Sequence, residues 1–388
     1  MSSDRETGRE QRIVIVGGGT GGTVVANKLA TELREELDAG DVDLTLVTDS
    51  PDHVYKPIFL YVAFNRKDVA DSRRPNRELL DQRVDLRIDR VVDVDTDARR
   101  LAFEGENEAL SYDHLVVATG TTLVPETIDG LTDGGHHFYS AAGAERLRDE
   151  LAEFTSGHLV VSTIGMPHMC PAAPIEFPLI ADEWLQKRGC RDDIDITYTY
   201  PLERAHGLES VADWVTPLFE ERGIGLETSF EVEAVDPDRQ TVATTDGRTL
   251  EYDLLVTIPP HAGSDLASRA DLGDEWIEVD RHTLEATRAD DVYAIGDITD
   301  VPTSKAGSAA HYQAGVVADR IASEVRGHPP TARYDGKTLC FVETGLEKAT
   351  FVSFGYDEQP VVRPPSRFVH WAKLAYNESY WLTARGLL

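Results

Sequence analysis

The chain opens on two different periods of apolar residues. Arg12-Ile-Val-Ile-Val16 is a short apolar run of the kind that forms a buried strand. Thr23 to Leu37 instead places Val24, Val25, Leu29, Ala30 and Leu33 at helical spacing. A second apolar run, Leu44-Thr-Leu-Val47, then ends at Thr48-Asp49. Between the first run and the helix lies Gly17-Gly-Gly-Thr-Gly-Gly22. Strand, glycine turn, helix, strand is the opening βαβ unit of a dinucleotide fold. From Asp52 to Asp81 no period is visible, and the stretch reads as irregular. Strand-like patterns return near Val84 to Ile88, Val91 to Val94 and Arg100 to Phe103. Tyr112 to Gly120 reads as another buried strand with a tight Thr-Gly end.

The pattern repeats after a helix over Ala142 to Phe154. His158 to Ile164 predicts a strand, Ile175 to Lys187 a helix, Asp195 to Tyr200 a strand, Val211 to Arg222 a helix and Leu254 to Ile258 a strand. Asp291 to Asp297 reads as a return to the first unit, and Ala309 to Val325 as a helix. Beyond Pro329 come proline breaks, aromatic strands and an aromatic helix. The fold class is therefore α/β, with two Rossmann-like dinucleotide-binding domains in tandem, one of them interrupted. The predicted divisions are 11–135 with 276–328, then 136–275, and a small C-terminal segment over 329–388.

Length and composition agree: 388 residues suit two domains, and 41% apolar residues suffice for their cores. No apolar run reaches a membrane-spanning length, and Met1 to Glu10 is polar, which predicts neither a spanning helix nor a signal peptide. The net charge of −31 would repel phosphate backbones, so nucleic acid is not an expected partner. Its carboxylates are spread along the chain. That suits a protein kept soluble in a high-salt cytosol, where charge repulsion is screened. The expected location is cytoplasmic, in solution or on a membrane surface, and a homo-oligomer is compatible with it. Three cysteines with no CxxC or zinc spacing predict neither a disulfide scaffold nor a metal site.

The glycines supply chemistry. Gly17, Gly19 and Gly22 match GxGxxG: one turns the chain, one lets the backbone approach a pyrophosphate, and one packs the helix against the strand. The helix N-terminus adds N–H groups and partial positive charge. Asp49, ending the second strand, is placed for a ribose hydroxyl pair. The equivalent turn of the second unit reads Gly165-Met-Pro-His-Met-Cys-Pro. One glycine remains, and proline has no N–H to offer a phosphate. A nicotinamide dinucleotide site is therefore not expected there.

Val116-Val-Ala-Thr-Gly120 and Val292-Tyr-Ala-Ile-Gly-Asp297 resemble the two later fingerprints of FAD-dependent, disulfide-reductase-like enzymes. The resemblance implies FAD, with Thr119, Gly120 and Gly296 near it and Asp297 accepting from the ribityl chain. Cys170-Pro-Ala-Ala-Pro-Ile-Glu176-Phe177, Pro302-Thr-Ser-Lys305-Ala-Gly307 and Lys337-Thr-Leu-Cys340-Phe341 resemble stretches of the sulfide:quinone oxidoreductases, over almost the whole chain. That likeness implies a relay in which Cys170 and Cys340 carry sulfur and a flavin passes two electrons to a membrane quinone. It adds Pro57 and Lys305 as cofactor contacts and Phe341 as a quinone contact. Both sulfurs would act as thiolates beside a base. Glu176, His168 and, by a weaker likeness, His206 are the candidates. Many members carry a third cysteine that can tether the flavin. His136-His-Phe-Tyr-Ser140 holds none, so noncovalent FAD is expected. Cys190 reads as structural, at the start of a strand.

The C-terminal stretch puts Phe368, Trp371, Leu374, Ala375 and Trp381 near one helical face, with Lys373. That combination suits a bilayer headgroup region. Rival readings are a type II NADH:quinone oxidoreductase, a sulfide dehydrogenase with a cytochrome acceptor, and a flavin-binding sensor.

Overall fold

A computed structural model describes residues 10–105 and 108–387. Nearly all of the polar stretch Met1 to Glu10 lies outside them. The first apolar run becomes the central strand Gln11–Val16, buried from Ile13 onward. It pairs in parallel with Val42–Thr48 on one side and His114–Val117 on the other. Val292–Ala294 and Asp85–Ile88 extend this parallel sheet at its two edges. Two helices, Thr20–Glu32 and Gly307–Val325, pack on each other beside it. The second parallel sheet runs Ile224–Glu227, Ile194–Thr199, Gly157–Thr163, Leu254–Ile258. Strands buried on both faces need continuous apolar runs, and both sheets have them.

Some boundaries differ from the periodicity. The first helix breaks at Leu33, and a separate short helix, Arg34–Ala39, ends on Gly40 at φ 77°. Glycine tolerates this left-handed cap at no Cβ cost. The stretch read as irregular holds a hairpin, Asp52–Val54 with Arg73–Pro75, and a helix Ile58–Ala63 buried along its whole length. A helix apolar all round shows no amphipathic period, which is why it was invisible. It packs into the core of the second unit, with Phe64, Phe138 and Phe177. The core of the first unit takes in Leu266, Ala267 and Leu272, ahead of the returning strand.

The C-terminal segment forms an antiparallel sheet, Thr338–Glu343, Ala349–Phe354 and Val361–Val362, and then the helix Arg367–Ala384. Ser366 starts that helix by accepting from the Val369 N–H at 3.2 Å. Its inner face docks on the first unit. Tyr380 stacks on Tyr55 at 3.7 Å between centroids, and its hydroxyl is 2.7 Å from both His53 Nε2 and Thr20 Oγ1. Phe368 and Trp371 point outward, 80% and 67% exposed. Lys373 does not join them: it is buried, which corrects its expected place at a headgroup region. No helix among the described residues is long and apolar enough to cross a membrane.

Candidate active site

The two βα turns face related tasks with different residues. At the first, Gly17 sits at φ 115°, and a Cβ there would meet Ala118 O at 2.4 Å. A Cβ on Gly22 would stand 1.8 Å from Gly17 O, so strand and helix approach as closely as backbone allows. Gly19 is exposed with open space around it, and Asp49 is exposed at the end of the neighbouring strand. The hydroxyls of Thr119 and Thr121 are buried with no hydrogen-bond partner. Buried orphan hydroxyls need an explanation. A ligand lying along the strand ends, with its phosphates at the glycine turn, supplies one, so these residues fit a dinucleotide cofactor.

At the second turn the chain leaves Gly157–Thr163 and reaches the helix Ala173–Arg188 through Gly165 to Ala172. Cys170 adopts φ 52°, a left-handed conformation that costs a non-glycine residue about 1–2 kcal/mol. Hydrogen bonds hold it there. Its N–H donates to Lys305 O at 2.7 Å, and its carbonyl accepts from the Ala173 N–H at 3.0 Å. Lys305 in turn donates to Asp297 O at 2.7 Å and lies 3.5 Å over the Trp276 ring. The thiol turn is thus tied to the loop that follows Gly296-Asp297. Ser308, on the helix after that loop, accepts from the Leu339 N–H at 3.3 Å. The strand of Cys340 is pinned to the same place.

Cys170, Asp297, Lys305 and Cys340 are all partly exposed, and Lys56 and Pro57 are exposed, although protein crowds both thiols. Cys170 and Cys340 lie within electrostatic reach of each other. Burial pushes the Cys170 thiol up to about 11, with the charge of Glu176 adding to it and the Ala173 amide opposing it. Burial also raises Cys340, as does the charge of Cys170. Both thiols are thus held against ionisation, and a base is needed for either to act as a thiolate. Burial lowers Lys305 to about 8, and Asp297 works against that.

The histidines separate. His206 accepts from the Leu208 N–H at Nδ1 (3.0 Å) and faces Pro171 O with Nε2 (3.2 Å). Both ring nitrogens are engaged by main chain, so it staples the thiol loop and has no lone pair for a proton. His168 uses Nδ1 on Met169 O at 3.2 Å and leaves Nε2 buried and unpartnered. Burial lowers both to about 4, so both are neutral at pH 7. Sequence reasoning passed over His261, which repeats this arrangement: Nδ1 on Pro259 O at 2.8 Å and an unpartnered Nε2. Its ring lies 6.4 Å from His168 and 5.3 Å from Tyr139, whose hydroxyl is also unpartnered. Its position just after a buried strand of the second unit was the available signal.

Glu176 is buried in the first turn of its helix. Burial raises its pKa and the Lys373 ammonium opposes that. Lys373 hydrogen-bonds Glu176 Oε1, which also accepts from the Glu343 N–H at 2.6 Å. Burial lowers Lys373, but Glu176, Tyr61 and Glu343 together more than reverse this and keep it charged. Phe341 is partly exposed, 6.1 Å from Tyr376 of the C-terminal helix. Cys190 lies elsewhere. It caps a short turn, Arg191–Asp193, ahead of its strand, with Sγ 3.8 Å from Leu185 O. Among the described residues no cluster could hold a metal ion.

The profile of the pyridine nucleotide-disulphide oxidoreductases matches residues 11–316. The chain belongs to that family. It is 27% identical to the mitochondrial sulfide:quinone oxidoreductase of Mus musculus over 362 residues, 90% of this chain and 79% of that protein. It is 24% identical to the sulfide-quinone reductase of Aquifex aeolicus, covering 96% of this chain and 90% of that one. The solved structure of the Aquifex aeolicus sulfide:quinone oxidoreductase superposes with a TM-score of 0.86 at 23% identity, covering 97% and 92% of the two chains. The tandem α/β architecture is the one that structure has.

Proposed function

We propose that this chain is an FAD-dependent sulfide:quinone oxidoreductase with a two-cysteine sulfur relay. One observation carries the reading. Cys170 and Cys340 lie within electrostatic reach of each other, both tied to the loop and helix that follow Gly296-Asp297, and Cys170 stands in the turn where a second glycine motif would be. Relatives named for this reaction align over nine-tenths of the chain. FAD, held noncovalently, supplies a two-electron carrier. Gly17, Gly19 and Gly22 would receive its pyrophosphate, Asp49 its ribose, and Asp297 its ribityl chain. Thr119, Gly120, Gly296, Pro57 and Lys305 would line it.

Hydrosulfide and one cysteine thiol together give up one proton and two electrons, leaving a persulfide on that cysteine that the second cysteine can receive. The two electrons and two protons reduce a quinone to a quinol beside Phe341. Glu176, the buried carboxylate with the strongest link to both thiols, handles protons. We place residues 11–135 and 276–328, together with Leu266 to Leu272, in the FAD domain, the rest of 136–275 in the second unit, and 329–388 in the quinone and membrane segment. Outward-facing Phe368, Trp371 and Leu382 supply an apolar membrane contact on an acidic protein. The distributed negative charge suits a high-salt cytosol.

Anaerobic sulfide should bleach the flavin band of the purified protein, and added quinone should restore it. Failure of either step refutes the proposal. NADH should leave the band unchanged, because the second turn lacks the amides of a phosphate cradle. Rapid bleaching by NADH would favour a type II NADH:quinone oxidoreductase instead.

A further inference from the structure

Behind the thiols a line of ionisable side chains continues away from the sulfur chemistry. It starts at Glu176 and passes to Lys373, which hydrogen-bonds Glu176 Oε1 and stands 3.9 Å from Glu343 Oε1. Glu343 Oε1 accepts from the Tyr61 hydroxyl at 2.8 Å, and Oε2 is 2.9 Å from His370 Nδ1. Glu176, Lys373, Glu343 and His370 are 3%, 7%, 0% and 5% exposed. The His370 ring lines an outer groove of about 830 Å³ with Trp184, Lys187, Arg188, Arg367 and Trp371.

From this arrangement we infer that Glu176, Lys373, Glu343 and His370 form a proton path from the groove toward the quinone beside Phe341. The inference rests on the sulfide:quinone reading above. Four buried ionisable groups are an expensive way to dock a helix, since apolar residues of like volume usually stabilise as well or better. The line is hydrogen-bonded except for one ion-pair step of 3.9 Å, from Lys373 to Glu343, and its ends differ. One end lies within electrostatic reach of both thiols, and the other opens on a groove wide enough for water. Three of the four members lie on the strand of Phe341 or on the helix of Tyr376. The path therefore serves quinone reduction, which consumes two protons for the two electrons that hydrosulfide supplies.

Each proton enters as one unit. His370 takes a proton from groove water at Nε2 and releases its Nδ1 proton to Glu343. Glu343 gives a proton to Lys373 as Lys373 gives one to Glu176. Glu176 passes its proton to the quinone. One proton has entered and one has left, and the path resets when the His370 ring returns to its first tautomer. Two passages complete a quinol. His370 and Glu343 act through Glu176 and are positioning residues in this scheme.

Two measurements test it. In stopped flow, His370→Ala should slow reoxidation of sulfide-reduced enzyme by quinone at least about tenfold, a modest share of what a positioned proton donor supplies. Bleaching by sulfide should hold within about twofold. Added imidazole should restore reoxidation, and a solvent isotope effect should appear in the variant. Wild-type reoxidation, or equal loss in both half-reactions without imidazole rescue, overturns the path. The second measurement needs no turnover. In oxidised holoprotein labelled with ¹⁵N-histidine, Glu176→Gln should move the His370 ring resonances although the two side chains do not touch. Unmoved resonances overturn the path. If wild-type protein is not bleached by sulfide, the sulfide reading has failed, and the resonance shift still decides whether the network is coupled.

Discussion

The two βα corners of this molecule share a topology and almost nothing else. At Gly17 to Gly22, helix and strand touch so closely that a single Cβ would collide with Gly17 O. At Gly165 to Ala172, prolines replace amide donors, and a cysteine occupies the left-handed conformation glycine would favour. The first corner is a bare glycine turn packed as tightly as backbone allows. The second presents a sulfur atom, anchored through its own amide to the loop that follows Asp297. One scaffold thus supports two functions, because the βαβ frame fixes where the turn lies and leaves its chemistry free.

The largest expected break is at the first corner. Gly22→Val forces backbone apart at the strand–helix contact. It should cost about 3 kcal/mol or more and yield protein without flavin, read from thermal unfolding and the visible band. Flavin retained at wild-type stability would mean this corner holds no phosphate.

Beneath the second corner, Lys373→Met leaves Glu176 and Glu343 buried without their cation. Breaking such a pair costs about 3–5 kcal/mol. The sign with pH follows from the carboxylates. Burial already raises Glu176, and loss of the ammonium raises it further. A raised folded pKa gives stability that is present below the unfolded value and lost as pH climbs through the folded one. The variant should therefore lose more stability at pH 8 than at pH 5, measured by denaturant unfolding. A pH-independent loss would show that charge burial is not the cause.

At the second corner itself, Cys170→Ser and Cys340→Ser should each slow sulfide bleaching by at least about a hundredfold, as losing a nucleophile does in other enzymes. Flavin content should stay unchanged. Bleaching that survives in both would make these cysteines packing residues. The smallest effect belongs to Cys190, whose thiol only faces Leu185 O. Cys190→Ser should cost less than about 1 kcal/mol and leave bleaching intact.

The fold was legible where residues repeat with a clean period. Both parallel sheets and their glycine and proline turns follow from short apolar runs and punctuation. The buried helix Ile58–Ala63 was not, because a helix apolar on every side shows no stripe. Within the site, Cys170, Glu176 and Asp297 stand in local motifs and could be named. His261 could not, since nothing in Pro259 to Ala262 marks its ring as facing His168 and Tyr139. Lys373 looked like a surface cation among aromatics. Helical phase alone cannot say which face docks.

The sequence by itself determined the βαβ order, the phosphate-ready first corner and the loss of amides at the second. Those depend on neighbours in the chain, where glycine and proline act through their own φ and N–H. Only the tertiary structure decided that two cysteines 170 positions apart come within electrostatic reach, that His206 is bound at both nitrogens, and that Lys373 reaches Glu176. These facts rest on distance and burial, which set pKa and hydrogen bonding and arise only when remote segments pack together.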